Sequence, residues 1–386
     1  MSGSKGTEYV LEPYGHGGDR WTAAGRFGIA PGDWLDFSAN INPLGPPPQA
    51  IEALREGIGA IVNYPDPGHR ELKRALSDKL GVEEDRLLIG NGAAECIALA
   101  LSGLETRKVG VIAPCFSEYA QLAKDHGAEV LTVVASEDRD YRADPDQLRE
   151  LMREVDLLFV GHPNNPTGLT YPLDELREIA SMAERYSTYV VVDEAFVDFI
   201  PEERRATLLP ELQRFPRVIL LHSMTKFYAI PGLRLGYAIA APDLVRRMAR
   251  KQVTWSVNGL ALLAGQACLR PGVADYERRT RGLIATERAY LRSEIDTRLG
   301  WRTWPGEANF LLVRLAEPWT ASLLQEALGP RGVMIRSCAM YEGLTAGDVR
   351  IAVRGRADNE KLLAAFEEAD LERRGLERRN PGGGGR

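Results

Sequence analysis

A chain of 386 residues with 44% hydrophobic side chains can bury a large core and divide into a main domain and a smaller one. The formal net charge of −6 argues against a nucleic-acid surface, and no apolar run approaches the ~18 residues of a membrane span. Cys96, Cys115, Cys268 and Cys338 are scattered, with no CxxC pair and no histidine spacing suited to zinc, which reads as reduced core thiols, no metal site, and a cytoplasmic protein. The amino terminus has no apolar signal region that would direct the chain elsewhere.

Residues 1–48 are rich in Gly and Pro and read as an arm of irregular coil with at most one short helix. Over 49–270, apolar runs at Val109–Ala113, Val130–Ala135, Leu157–Val160, Tyr189–Val192 and Val218–Leu221 predict strands, and amphipathic stretches such as Leu173–Tyr186 predict helices between them. That alternation implies an α/β large domain: a mostly parallel central sheet with helices on both faces, and ligands gathered at the carboxyl ends of the strands. Over 271–371 the texture changes. A long helix from Ala274 to about Leu299, strands at Asn309–Leu315, Val333–Arg336 and Val349–Arg354, a helix at Ala321–Leu328 and a closing helix from Asn359 predict a smaller α+β domain. The tail, 372–386, ends Pro-Gly-Gly-Gly-Gly-Arg, has no apolar period and is expected to be disordered.

Two segments carry chemistry. Lys226 stands in Ser223-Met-Thr225-Lys226-Phe-Tyr-Ala-Ile-Pro231-Gly-Leu-Arg234, and Asp193 ends the apolar run Val190-Val-Val-Asp193. A lysine for a Schiff base and an aspartate for a pyridine nitrogen are the two electronic contacts of pyridoxal 5′-phosphate (PLP). An unpaired carboxylate at the end of a buried strand is unfavourable, so Asp193 is expected to have a cationic partner. Upstream, Gly90-Asn-Gly92-Ala93-Ala94-Glu95 precedes the apolar helix Cys96–Leu104, so the amides of Ala93 and Ala94 can face a phosphate with the helix dipole behind them.

With Asn165 in His162-Pro-Asn-Asn165-Pro166-Thr-Gly168, these motifs resemble the fold-type I PLP enzymes, the aspartate-aminotransferase superfamily. Within it, the arm Tyr14-Gly-His16-Gly-Gly18, the block from Asp36 to Gly45, and Lys226-Phe-Tyr-Ala-Ile-Pro231-Gly are similar to the threonine-phosphate decarboxylases of cobalamin biosynthesis. Histidinol-phosphate aminotransferases are near relatives, and the resemblance runs from about His16 to about Phe366.

The resemblance implies roles. Asn165 bonds the cofactor's phenolic oxygen, Ser223, Thr225 and Arg234 complete the phosphate cup, and Phe116 stacks on the ring. Tyr64 reaches the phosphate of a neighbouring subunit, which implies a homodimer. Arg350 grips the substrate's α-carboxylate, Arg336 its phosphate, and His16 is a candidate to close over that phosphate. Phe196 stands where relatives often have a tyrosine, and His162 where they often have asparagine. The substrate implied is a small phosphorylated amino acid, L-threonine O-3-phosphate, released as CO2 and (R)-1-amino-2-propanol O-phosphate. The alternatives are histidinol-phosphate transamination and decarboxylation of L-serine O-phosphate. A PLP-sensing domain fused to a DNA-binding module fits less well, since a glycine-rich arm of 48 residues is too short for a winged helix. His69, His126 and His222 have no motif context and are read as without a role.

Overall fold

The structure, a computed structural model, describes Leu11 and residues 15–379. The arm contains helix α1 (Arg20–Phe27), capped by the Asp19 side chain on Thr22 N, and a short strand β1 (Leu35–Asp36). Helices α2 (Pro48–Gly57) and α3 (Arg70–Leu80) follow, α2 opening on a proline whose missing N–H is not needed in a first turn. The large domain then alternates β2 (Leu87–Gly90), α4 (Ala93–Leu104), β3 (Lys108–Ala113), α5 (Glu118–Asp125), β4 (Glu129–Val134), α6 (Pro145–Glu154), β5 (Leu157–Gly161) and α7 (Leu173–Tyr186). It continues through β6 (Tyr189–Asp193), β7 (Val218–Ser223), the single turn α8 (Met224–Phe227), β8 (Gly236–Ile239), α9 (Pro242–Ala249) and α10 (Gly259–Cys268).

These strands form one seven-stranded sheet, β2-β8-β7-β6-β5-β3-β4. Strands β3 to β7 run parallel, while β8 is antiparallel to both neighbours. β5, β6 and β7 are apolar along almost their whole length because helices cover both faces, whereas edge strand β4 leaves Glu129, Thr132 and Val134 exposed. One apolar cluster packs on each face of the sheet. The chain order reverses between β3 and β5, and the crevice beyond their carboxyl ends is where such sheets bind ligands.

The carboxyl-terminal part holds α11 (Ala274–Glu294), β9 (Arg302–Thr303), β10 (Phe310–Arg314), α12 (Ala321–Leu328), β11 (Val333–Met334), β12 (Arg336–Ser337), β13 (Asp348–Ala352) and α13 (Arg356–Arg379). Its antiparallel sheet has the order β12-β13-β10-β9. The run expected as one strand, Val333–Arg336, is two: β11 pairs with β1 of the arm and β12 with β13. Between them Ile335 N donates to Gln325 Oε1 at 2.9 Å, which lets the chain change partners without an orphaned amide.

Two expectations need correction. The arm is more than coil with a helix: β1 pairs in parallel with β11, and Leu11, Ala23 and Trp34 bury against Met334. These apolar residues are too widely spaced among glycines to show a period. The tail was expected to lose structure at 372, yet α13 runs to Arg379. At the expected boundary Arg331 Nη2 donates to Glu372 Oε1 at 2.6 Å and the Arg373 guanidinium lies 4.7 Å from the Trp319 ring centre, contacts that no local pattern reveals. Among the described residues, no helix is long and apolar enough to cross a membrane, and no group of His, Cys, Asp and Glu is arranged to hold a metal ion.

Candidate active site

A cavity of about 390 Å³ opens at the carboxyl ends of β3, β5, β6 and β7. Lys226, on the single turn α8 after β7, projects into it. Removal from bulk water disfavours the ammonium, the guanidinium groups of Arg350 and Arg234 add to this, and the Lys226 pKa falls to about 8. Asp193, at the end of β6, is buried. Its carboxylate accepts from Tyr119 Oη at 2.6 Å and from Ala195 N at 3.0 Å, and burial pushes its pKa up despite both bonds.

An anion cup lies beside them. Gly92, at φ +82°, turns the chain into α4 so that the first residues of the helix, Ala93 and Ala94, face the cavity. A Cβ on Gly92 would lie 2.6 Å from Arg234 Nη2, and one on Gly236 would lie 2.5 Å from Ala93 N, so both glycines are needed for the approach. Arg234 itself sits in the left-handed region at φ +56°, an unfavourable conformation for a side-chain-bearing residue. Ser223 Oγ and Thr225 Oγ1 are 2.7 Å apart on the same wall.

The opposite wall comes from the small sheet and the arm. Arg336 of β12 and Arg350 of β13 are direct partners in the antiparallel register, both buried and both lining the cavity. Arg350 donates to Asn165 Oδ1 at 2.6 Å and to Ser38 O at 2.7 Å, and Arg336 donates to Gly15 O at 2.6 Å. In the amide orientation that satisfies both groups, Asn40 Oδ1 also accepts from Arg350 Nε at 3.2 Å. His16 is exposed at the mouth, its ring centre 6.1 Å from that of Phe116.

The sequence matches the aminotransferase class I and II family over residues 32–366. The chain belongs to that family. It is 38% identical to the threonine-phosphate decarboxylase of Salmonella typhimurium over 352 residues, 91% of this chain and 95% of that protein. It is 34% identical to histidinol-phosphate aminotransferase 2 of Ralstonia nicotianae over 376 residues, 96% of this chain and 98% of that one. Among solved structures, the histidinol-phosphate aminotransferase from Clostridium acetobutylicum is similar with a TM-score of 0.81 at 29% identity, over 87% of this chain and 99% of that one. The L-threonine-O-3-phosphate decarboxylase from Porphyromonas gingivalis is similar with a TM-score of 0.76 at 25% identity, over the same shares.

As a member of this aminotransferase family the chain is a PLP enzyme, and its cavity fits the cofactor. Among the described residues Asp193 accepts hydrogen bonds from the neutral donors Tyr119 and Ala195, and a protonated pyridine nitrogen would complement its buried carboxylate. The cup of Ala93, Ala94, Ser223, Thr225 and Arg234 suits a phosphate, Phe116 offers an aromatic face, and Lys226 is the amine. The hydrogen bonds that Asp193 accepts from described residues come from Tyr119 and Ala195, neither charged, so the cation expected beside it falls to the protonated ring nitrogen. Burial makes that arrangement unfavourable for the protein alone.

Twelve of the thirteen residues singled out from sequence line this one cavity; Tyr64 does not. It is exposed and stacks on Trp255 with ring centres 4.3 Å apart. His162 is buried outside the cavity, its Nε2 2.6 Å from Ala206 O and its Nδ1 accepting from Tyr171 N, so it staples two loops. His222 has a setting the sequence did not suggest, buried 3.0 Å from Glu194 Oε2 and stacked on Tyr237. Sequence reasoning also missed Tyr119, Ser38, Asn40 and Glu118. Tyr119, three residues after Phe116, was the most accessible of these, because a residue one helical turn from a predicted ring contact shares its face.

Proposed function

We propose that this enzyme decarboxylates L-threonine O-3-phosphate to CO2 and (R)-1-amino-2-propanol O-phosphate, a step of cobalamin biosynthesis. The observation that carries the reading is the pair Arg336 and Arg350, buried opposite one another on adjacent strands and facing the cavity of Lys226. Like charges at one register position repel, and a ligand with an anionic group at each end offsets both.

When bound, the cofactor supplies an electron sink for the charge left at Cα as CO2 departs. Asp193 keeps the ring nitrogen protonated, and that cation in turn stabilises a carboxylate otherwise disfavoured by burial. Arg350, braced by Asn165, holds the substrate carboxylate, while Arg336 and His16 hold the phosphate. Anchoring both ends of a short substrate would set which bond at Cα is turned toward the electron sink that the cofactor supplies. Lys226, which projects into the cavity, is the group placed to return a proton to Cα. The apolar walls of Phe116 and Phe196 limit water at the reacting carbon.

The chain acts as a homodimer in which Tyr64 reaches the partner's cofactor phosphate. Exposed Ile61, Tyr64 and Trp255 line a second hollow of about 570 Å³, and an apolar surface of this kind suits a self-complementary interface. The chain divides into an arm over 1–48, a large domain over 49–270 and a small domain over 271–371. Four free cysteines support a reducing, cytoplasmic setting.

The test is a product assay. The expected result is CO2 and aminopropanol phosphate from L-threonine O-3-phosphate, with no requirement for 2-oxoglutarate. Transfer of the amino group from histidinol phosphate to 2-oxoglutarate at comparable rate, without CO2, would replace the reading by the aminotransferase that the Clostridium neighbour represents. L-Serine O-phosphate belongs in the same assay, since one substrate methyl contributes only about 1–3 kcal/mol of discrimination.

A further inference from the structure

The arm meets the cavity through three contacts. Arg336 Nη2 donates to Gly15 O at 2.6 Å, Gly18 N donates to Ser38 Oγ at 2.7 Å, and His16 Nε2 lies 2.7 Å from Glu118 Oε1. Gly17 permits this close approach, because a Cβ there would collide with the carbonyl oxygen of Ser38. His16 is therefore held on both sides along the backbone and once through its ring.

Glu118 is an unexpected lining for this pocket. The other charged side chains at the substrate end, Arg336 and Arg350, collect anions, as do Lys226 and Arg234 beyond them. Asp193 is the other carboxylate of the lining, and it serves the cofactor's side. A bare carboxylate beside a dianionic phosphate would repel it. Here the His16 bond holds the Glu118 carboxyl below its ordinary range, so it stands ionised and engaged with the imidazole. His16 lines the cavity, and with Nε2 engaged by Glu118 its Nδ1 is the ring nitrogen that a ligand there would meet.

We propose that Glu118 is a positioning residue for substrate phosphate recognition: it anchors His16 Nε2, so that the ring presents Nδ1–H to the phosphate and stands between the phosphate and the carboxylate. This rests on the function proposed above and adds to it a residue that touches neither substrate nor cofactor.

The arrangement has a consequence that a merely structural carboxylate would not have. With His16 present, Glu118 helps; with His16 removed, the same carboxylate faces the phosphate and hinders. The experiment is a double-mutant cycle of His16→Ala and Glu118→Ala in the holoenzyme. It reads KM and kcat for L-threonine O-3-phosphate, and separately the binding of inorganic phosphate by thermal shift. Glu118→Ala alone is expected to raise KM roughly tenfold, with most of the loss in KM rather than kcat. Glu118→Gln, which keeps a hydrogen-bond acceptor, should recover part of it. In the His16→Ala background, Glu118→Ala should leave KM unchanged or lower it. Equal weakening in both backgrounds, or no weakening in the parent background, overturns the proposal. A parent enzyme that releases no CO2 from threonine phosphate overturns the function instead, and the inorganic-phosphate cycle still decides the role of Glu118.

Discussion

Lys226 shows how a single side chain is tuned by what surrounds it. Its pKa of about 8, against 10.5 for a free side chain, means that between those values the unfolded chain holds more protons than the folded one. Folding stability contributed by this group therefore rises with pH across that window, and below it the buried ammonium is a net burden. In the cofactor-free protein, Lys226→Met should be more stable than the parent at pH 7 by roughly 1–3 kcal/mol, with the gap narrowing as pH climbs past 8. Urea denaturation of both proteins at several pH values checks this, and a gap that stays constant with pH would contradict the assigned shift. In the holoenzyme, borohydride should fix PLP onto the peptide that contains Lys226 and onto no other. Asp193 is the complementary case: Tyr119→Phe removes one of its two donors, and the loss of a hydrogen bond to a charged group, about 1.5–3 kcal/mol, should appear as faster release of PLP in a dilution assay.

At the scale of elements, the site depends on two strand pairs. β8 runs close enough to the start of α4 that Gly236 cannot carry a side chain, so Gly236→Ala should push the Ala93 amide away and weaken PLP affinity, measured by titrating the cofactor into the apo-protein. The β12–β13 pair sets Arg336 against Arg350, and the two substitutions separate their roles. Arg336→Ala should weaken a phosphorylated substrate by about 1.5–3 kcal/mol while hardly affecting a non-phosphorylated analogue, whereas Arg350→Ala should weaken both. Equal losses for the two ligand types in Arg336→Ala would remove Arg336 as the phosphate contact.

For the whole molecule, the arm and the carboxyl-terminal part are one packed unit, through the parallel pair β1–β11 and the cluster around Trp34, so ligands at Arg336 and at His16 act on the same body. The exposed apolar surface near Tyr64 should vanish into a dimer. Sedimentation of the parent protein is expected to give a dimer, and Ile61→Asp, which sets a charge in that surface, should shift it to monomer and lower PLP affinity together. A parent that sediments as a monomer with full activity would refute both the dimer and the role of Tyr64 across it.

Much of this was legible in the chain because it is local. Strand and helix periods at Leu157–Val160 or Leu173–Tyr186, the turn glycines before Ala93, and the lysine and aspartate at the ends of apolar runs follow from side-chain alternation and backbone sterics within a few residues. What the sequence did not disclose were pairings across long separations. Tyr119 meets Asp193 across 74 residues, His16 meets Glu118 across 102, and Arg336 meets the carbonyl of Gly15 across 321. The split of Val333–Arg336 into two strands with different partners and the extension of α13 past residue 372 are of the same kind. The sequence by itself determined most of the elements, the PLP chemistry and most of the residues that line the cavity. Only the tertiary structure decided that Tyr119 donates to Asp193, that the two arginines stand opposite each other and that a carboxylate holds His16, because packing between distant segments rather than local backbone preference chooses those neighbours.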